Sequence, residues 1–509
     1  MTDKRRIVVN TLANGSAQAV NIIATLVFMP LLIHSFGKAD YGTFLIVTSI
    51  AGWASLLDFG VGASLVKMIA QHVAEKDRAR IGDLVSAGLV FYVAIGVVAS
   101  ASLIALAFFG GEIFKVTPQG AILLRNLLLV AAGFALVTWP ANTAVYVLGG
   151  FQRYTITARV QLGVTLTTVC AYIVVLQMHW GPLALFTATS TIMFTGSIVN
   201  IFAARRQLAG ARVSPFNAKL VHLSHIFSFS WAIFLMQLST IIVFQNADRL
   251  VLGIFLGMAA VALYQPAAQF QSLIVQLVAF TNSAVMPFAS HLHASQAAEK
   301  LRLLFLRGTK YTLVFVTPVI VVLMVLARAI LGRWVGPEFA LQASNARILL
   351  LPQLLIVGGV IGDSIITGQG KLPKRLPYSL AMTAGNLFLS IVLVQRLGIL
   401  GVVLGTAIPY LIDYPIHMWW LLRELDVPAR RWFGEVVAPV YPLLAVPALL
   451  SAGALLTPLS RTLTGLGAAG VVSVGAYYVV VFAFGLDSDE RAEVGALAAA
   501  LRGRFSSAA

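Results

Sequence analysis

The side chains with the most chemical capacity in this 509-residue sequence are charges set in or beside long apolar stretches. Asp58, Asp248, Arg249, Asp363 and Asp413 lie within such stretches, and Arg125 and Arg347 lie near their ends. A charge at the centre of a bilayer costs roughly 2.5–3.5 kcal/mol on insertion scales, so each is a candidate functional position. Arg125 and Arg347 form either a pair of cations able to receive phosphate or sugar, or two snorkelling anchors. Asp248 and Arg249 are adjacent and do not face each other on a regular helix, so one or both need a partner elsewhere, structural or gating. Asp363 and Asp413 are placed to change protonation or bind a cation during a cycle, or to pair with a base in a loop. Asp58, beside Gly60 and Gly62 and followed by Lys67, suits a turn that shapes the helices or an ion pair at an inner gate.

Uncharged polar groups recur at helical spacing. Asn14, Gln18 and Asn21 share one face of the first apolar segment, and Gln265, Gln269 and Gln276 share one of the eighth. A polar stripe in a span must face protein or a water-filled cavity. Such amides suit sugar hydroxyls and suit glue between helices equally well. Trp139, Trp419 and Trp420 are able to stack on sugar rings or to anchor at the membrane interface.

Covalent and metal chemistry finds little support. Cys170 is the only cysteine, so no disulfide framework forms within the chain. His222, His225, His291 and His293 lack the spacing of a helical metal pair, and Gly368-Gln369-Gly370-Lys371 lacks the spacing of a phosphate-binding loop. No metal or cofactor is expected. The outer loops are too short for the acid, base or metal groups that a glycan polymerase or ligase needs, which disfavours an enzyme.

The elements that position these groups are membrane spans. The chain is 59% hydrophobic and 11% charged, and about fourteen segments approach the roughly 20 residues needed to cross ~30 Å of hydrocarbon. They fall near 9–33, 42–64, 84–109, 121–147, 159–178, 183–204, 226–256, 260–287, 309–330, 346–367, 378–396, 399–421, 436–456 and 463–484. Most of the 35 Lys and Arg residues lie in loops on the N-terminal side. The other side carries only Lys38, Lys115, Arg125, Arg328, Arg333, Arg347, Arg396 and Arg461. That asymmetry predicts a multi-pass protein of the bacterial inner (cytoplasmic) membrane with both termini cytoplasmic. The net charge of +16 then reflects topology and attraction to anionic lipids, not nucleic-acid binding.

Landmarks repeat at an offset of about 220 residues. Gly37 matches Gly257, Arg125 matches Arg347, and Leu148-Gly149-Gly150 matches Thr367-Gly368-Gln369. Parallel repeats of six spans with a cavity between them would follow. The expected divisions are an N-lobe at 1–207, a cytoplasmic linker at 208–225, a C-lobe at 226–425, two added spans at 426–484 and a tail at 485–509. The tail reads as an amphipathic helix capped by Ser488. The stretch from Lys300 to Lys310 reads as a second amphipathic segment on the inner surface.

Phe36-Gly37-Lys38-Ala39-Asp40-Tyr41-Gly42 and Leu57-Asp58-Phe59-Gly60-Val61-Gly62 resemble the polysaccharide transporter family, which includes O-antigen and exopolysaccharide flippases. Asn246-Ala247-Asp248-Arg249-Leu250-Val251-Leu252-Gly253, with Gly257, Tyr264 and Pro287, resembles that family's seventh and eighth helices. The resemblance implies an all-α polytopic fold of two six-helix pseudo-symmetric lobes plus two C-terminal helices, working by alternating access. It implies a cargo of polyprenyl-pyrophosphate-linked oligosaccharide, moved from the cytoplasmic to the periplasmic leaflet, with membrane lipids, a polysaccharide polymerase and export machinery as partners. A lipid II flippase or a small-molecule exporter would share the same fold.

Overall fold

The computed structural model describes residues 22–214, 247–282, 298–371 and 376–492, and positions 20, 230, 234, 285, 289 and 292. Among these residues the chain is helical and contains no strand. Ten helices are long and apolar enough to cross a membrane, and eleven if one bent pair counts as a single span. The protein is therefore a multi-pass, all-α membrane protein. The expected count of fourteen is not reached among the described residues, because much of 9–33 and most of 226–256 lie outside them. Asn14, Gln18 and Asn21 also lie outside the described residues.

In chain order the helices are α1 Ile22–Phe36, α2 Lys38–Trp53, α3 Val61–Ala74, α4 Arg78–Ile113, α5 Pro118–Gly150, α6 Tyr154–Gln177 and α7 Pro182–Gln207. They continue as α8 Ala247–Leu256, α9 Met258–Asn282, α10 Ala298–Trp334, α11 Ala343–Ile356, α12 Val360–Gly368, α13 Leu376–Leu397, α14 Ile399–Glu424, α15 Ala429–Leu455 and α16 Leu463–Gly485. The packing divides into two compact units, Met1–Leu263 with Leu376–Val402, and Tyr264–Arg375 with Val403–Ala509.

Lipid offers no hydrophobic drive for helix pairing, so small residues that admit close approach decide which faces meet. In the first unit a Cβ on Gly42 of α2 would lie 1.9 Å from the carbonyl oxygen of Met258, so only glycine fits there. Gly196 brings α7 against Val164 of α6, where a Cβ would sit 2.6 Å from a valine methyl. Gly96 of α4 similarly meets Ala135 and Trp139 of α5 at 3.3 Å. The repeat landmarks Gly37 and Gly257 share a backbone form: φ is +78° and +84°, and each closes the helix before it. The motif around Asp58 breaks α2 from α3 by 45°. Phe59 and Gly60 take left-handed φ of 48° and 74°, so the sequence signature there is a turn signature.

In the second unit α15 and α16 pack on α10. Val322, Leu326 and Ala329 of α10 bury with Leu466 of α16, while Leu444, Tyr477, Val481 and Leu486 form a second cluster. Ser451 donates to Ser473 at 3.1 Å between α15 and α16, a buried hydroxyl pair that satisfies both helices. Lys300 to Lys310 is not a separate surface segment, since α10 runs unbroken through it for 37 residues. The tail helix is capped one residue earlier than expected. Asp487 Oδ1 accepts the Glu490 N–H at 2.8 Å, and Glu490 Oε2 accepts the Asp487 N–H at 3.0 Å, a reciprocal capping box.

Candidate functional site

Helices α5, α6 and α7 of the first unit line an open cavity of about 450 Å³. Its polar lining comes from Thr138 and Asn142 on α5, Thr157 and Gln161 on α6, and Ser190, Ser197 and Asn200 on α7. Trp139, Phe134 and Phe186 provide aromatic walls, and no charged residue contributes to the lining. Asn200 is 8% exposed, and its Oδ1 is enclosed without a hydrogen-bond partner among the described residues. A buried acceptor left open in this way needs a donor. α5 and α6 each supply a pair at i and i+4, and α7 supplies three residues at i, i+7 and i+10, so a single face of each is polar.

Beside this cavity Asp58 is held by neutral donors. The hydroxyls of Tyr92 and Tyr146 both donate to its Oδ1, Tyr146 at 3.1 Å, and the Gly62 N–H approaches Oδ2 at 3.4 Å. Tyr92 stacks between Tyr146, with centroids 5.5 Å apart, and Trp139, at 6.1 Å. An aromatic ladder thus runs from the carboxylate to the cavity wall. Lys67 is exposed on α3. Trp139 is buried, at 8% exposure, and is a wall of the unit, whereas Trp419 is exposed beneath the Arg423 guanidinium at 4.4 Å.

The cations of the first unit are placed differently from one another. Arg249 Nη1 donates to Ser49 Oγ on α2 at 3.3 Å, and Asp248 is partly buried beside it on α8. Arg125 is exposed, with its guanidinium over the Phe108 ring at 4.8 Å, so its contact is with an aromatic surface of α4.

The second unit is organised by opposite charges. His417 Nε2 on α14 lies 3.1 Å from Asp363 Oδ1 on α12. His417 also stacks on Trp420 at 5.8 Å. Asp413 sits one turn before His417 on the same helix face. Lys310 Nζ meets Glu490 Oε2 at 2.5 Å with both side chains buried, and Lys371 meets Glu424 at 2.8 Å. Arg302 pairs with both Glu299 and Asp426. Gln265 and Gln269 are buried on α9, and Gln276 is exposed and bonds Ser272 of its own helix. Arg347 lies on α11, its Nε donating to the Met324 carbonyl of α10 at 2.9 Å.

Several groups that matter here escaped the sequence reading. His417 is a histidine amid apolar residues of α14, and its signal was its i+4 spacing from Asp413. Asn142, Gln161 and Asn200 are single amides on three different helices, and only the fold brings them together. Among the described residues no cluster of His, Cys, Asp or Glu is arranged to hold a metal ion.

Comparison with known proteins agrees with this architecture. Residues 7–293, more than half of the chain, match the family described as "Polysaccharide biosynthesis protein". An uncharacterised membrane protein of Methanocaldococcus jannaschii is 24% identical over 472 residues, covering 89% of this chain and 90% of that protein. The fold is shared with lipid II flippase MurJ in an inward closed conformation, with a TM-score of 0.71 at 15% identity over 93% of this chain and 99% of that one. An inward-facing multidrug resistance MATE family transporter of the MOP superfamily gives a TM-score of 0.66 at 16% identity over 79% of this chain and 94% of that one. The chain belongs to the family described as "Polysaccharide biosynthesis protein".

Proposed function

We propose that this protein is a transporter, a flippase for polyprenyl-pyrophosphate-linked oligosaccharide, moving it from the cytoplasmic to the periplasmic leaflet of a bacterial inner membrane by alternating access. The observation that carries the reading is the uncharged cavity of α5, α6 and α7, whose aromatic walls and amide and hydroxyl lining suit a sugar. Aromatic faces stack on the apolar face of a pyranose, and amides satisfy its hydroxyls. The open acceptor of Asn200 would take one such hydroxyl. On this reading the lobes divide at the 208–225 linker, both termini face the cytoplasm, and a polymerase and export machinery receive the product. Asp363, Asp413 and His417 form the ion-coupling group, and Arg249 with Asp248 belongs to the gate.

Transbilayer movement of a polyprenyl-pyrophosphate oligosaccharide in proteoliposomes tests the reading. Native protein should move it, and Asn200→Leu and Arg249→Ala should slow it at equal reconstitution. Movement of lipid II in preference to the oligosaccharide, or of a small cationic drug alone, would replace this reading with one of its two rivals.

A further inference from the structure

A second cavity, of about 600 Å³, opens in the second unit at the C-terminal end of α10. Three arginines line it: Arg328 and Arg333 from α10, and Arg347 from α11. Ser460, in the turn Pro458–Arg461 between α15 and α16, adds a hydroxyl, and Arg461 follows it. The remaining lining is apolar and includes Val325, Ala329, Pro337 and Leu455.

None of the three arginines forms an ion pair with a carboxylate among the described residues, and none of the lining residues is acidic. Arg333 bonds only the Ala329 carbonyl of its own helix, at 3.2 Å. Arg347 uses its Nε on Met324 and keeps its terminal nitrogens for other partners. This differs from the opposite end of the same unit, where Lys310, Lys371, Arg302 and Arg431 each meet a carboxylate. Simple snorkelling would send single arginines outward from separate helices. Here exposed guanidiniums from two helices line one open cleft, with Leu455 and Ser460 of a third element at its edge.

We infer that this three-arginine cleft binds the phosphate group of an anionic membrane lipid, the guanidiniums holding the phosphate and the apolar wall of Val325, Ala329 and Leu455 receiving the top of an acyl chain. Planar guanidiniums match phosphate oxygens in paired hydrogen bonds; phosphatidylcholine carries the same phosphodiester, but its choline cation is repelled by the remaining guanidiniums, so a net-anionic lipid is favoured. The charge asymmetry of the loops puts the cleft at the outer face. A lipid held between α10, α11 and the α15–α16 turn would tie the two C-terminal helices to the rest of their unit. The inference concerns binding alone and stands whether or not the transported cargo is an oligosaccharide.

The test is binding to the purified full chain in detergent. Phosphatidylglycerol, phosphatidylcholine and inorganic phosphate are added separately, with retained lipid read by native mass spectrometry and phosphate binding by calorimetry. Phosphatidylglycerol should bind in preference to phosphatidylcholine, and Arg328→Gln should weaken it about tenfold, the scale of one lost charge-assisted bond. Arg396→Gln, an outer-side arginine outside the cleft, should leave it unchanged. Arg333→Gln gives the same readout if Arg328→Gln fails to fold. Inorganic phosphate that displaces the lipid supports the cleft with a free anion as an alternative source, and phosphate that does not supports the lipid alone. Equal retention of both lipids, or phosphatidylglycerol binding unmoved by the cleft variants, overturns the inference.

Discussion

The two units bury polar chemistry in opposite ways. The first holds its half-buried carboxylate, Asp58, with tyrosine hydroxyls and a backbone amide, and its cavity lining carries no charge. The second neutralises charge with charge, in Lys310–Glu490 and Lys371–Glu424. The difference decides what a substitution does. A carboxylate held by neutral donors can lose its charge and keep its bonds, whereas half of a buried ion pair leaves the other charge stranded.

The largest effect should come from Lys310→Met, which leaves Glu490 ionised in a site where its side chain is 3% exposed. Breaking such a pair costs about 3–5 kcal/mol. The double variant Lys310→Met/Glu490→Met should recover most of that, since apolar replacement of both partners is often neutral. Asp58→Asn should cost only about 1 kcal/mol, the scale of an ordinary hydrogen bond, because the amide oxygen still accepts from both tyrosines. Thermal unfolding in detergent ranks the three. Equal losses for Lys310→Met and Asp58→Asn would erase the contrast between the units.

A second prediction separates binding from folding in the first unit. Trp139→Leu and Asn200→Leu should each lower transport about tenfold, corresponding to roughly 1.4 kcal/mol of lost interaction. Asn200→Leu should leave the unfolding temperature unchanged or raised, because it removes an unsatisfied buried acceptor. Transport that survives Asn200→Leu would remove the cavity from the cargo's path.

These contrasts show which parts of the molecule were legible in the sequence. Helices α4 to α7 and α14 to α16 were readable because a span must be apolar along its whole length. The turn at Asp58 was readable because left-handed backbone favours glycine, as at Gly60. What the sequence hid was partnership. Glu490 lies in a tail that reads as surface helix, and Lys310 at the end of a stretch that reads as an amphipathic surface segment, yet they are buried together across 180 residues. Nothing local marks that pairing, and the same holds for Asp58 with Tyr92 and for the three helices that line the first unit's cavity. Arg347 was matched to Arg125 by position, but its cavity companions are Arg328 and Arg333, which read only as scattered outer charges.

A third prediction sharpens the charged side of the comparison. If Asp363 and His417 couple transport to protons, the rate in proteoliposomes should respond to an imposed pH gradient in native protein. Asp363→Asn and His417→Gln should flatten that response and retain part of the downhill rate. Lys371→Met, which breaks an ion pair at the end of α14, should leave the gradient response intact. A gradient response equal in all four proteins would make Asp363–His417 a structural pair only.

The smallest effect should come from the tail cap, where charge acts in water. The Asp487 carboxyl is held below its usual value of 3.8, first by the Glu490 backbone N–H and then by the nearby Lys310 and Arg307 charges. A carboxyl whose folded value is depressed contributes stability that is fully present above its unfolded value and is lost as pH falls through the folded one. Asp487→Asn should therefore lower the unfolding temperature slightly at pH 6, and the gap from native should close as pH drops below about 4. The group is exposed, so solvent screening keeps the gap small and added salt should narrow it further. The cap also bonds Glu490, the buried partner of Lys310, so a gap that persists unchanged at low pH would locate the effect of Asp487 in the orientation of Glu490 and not in its own charge.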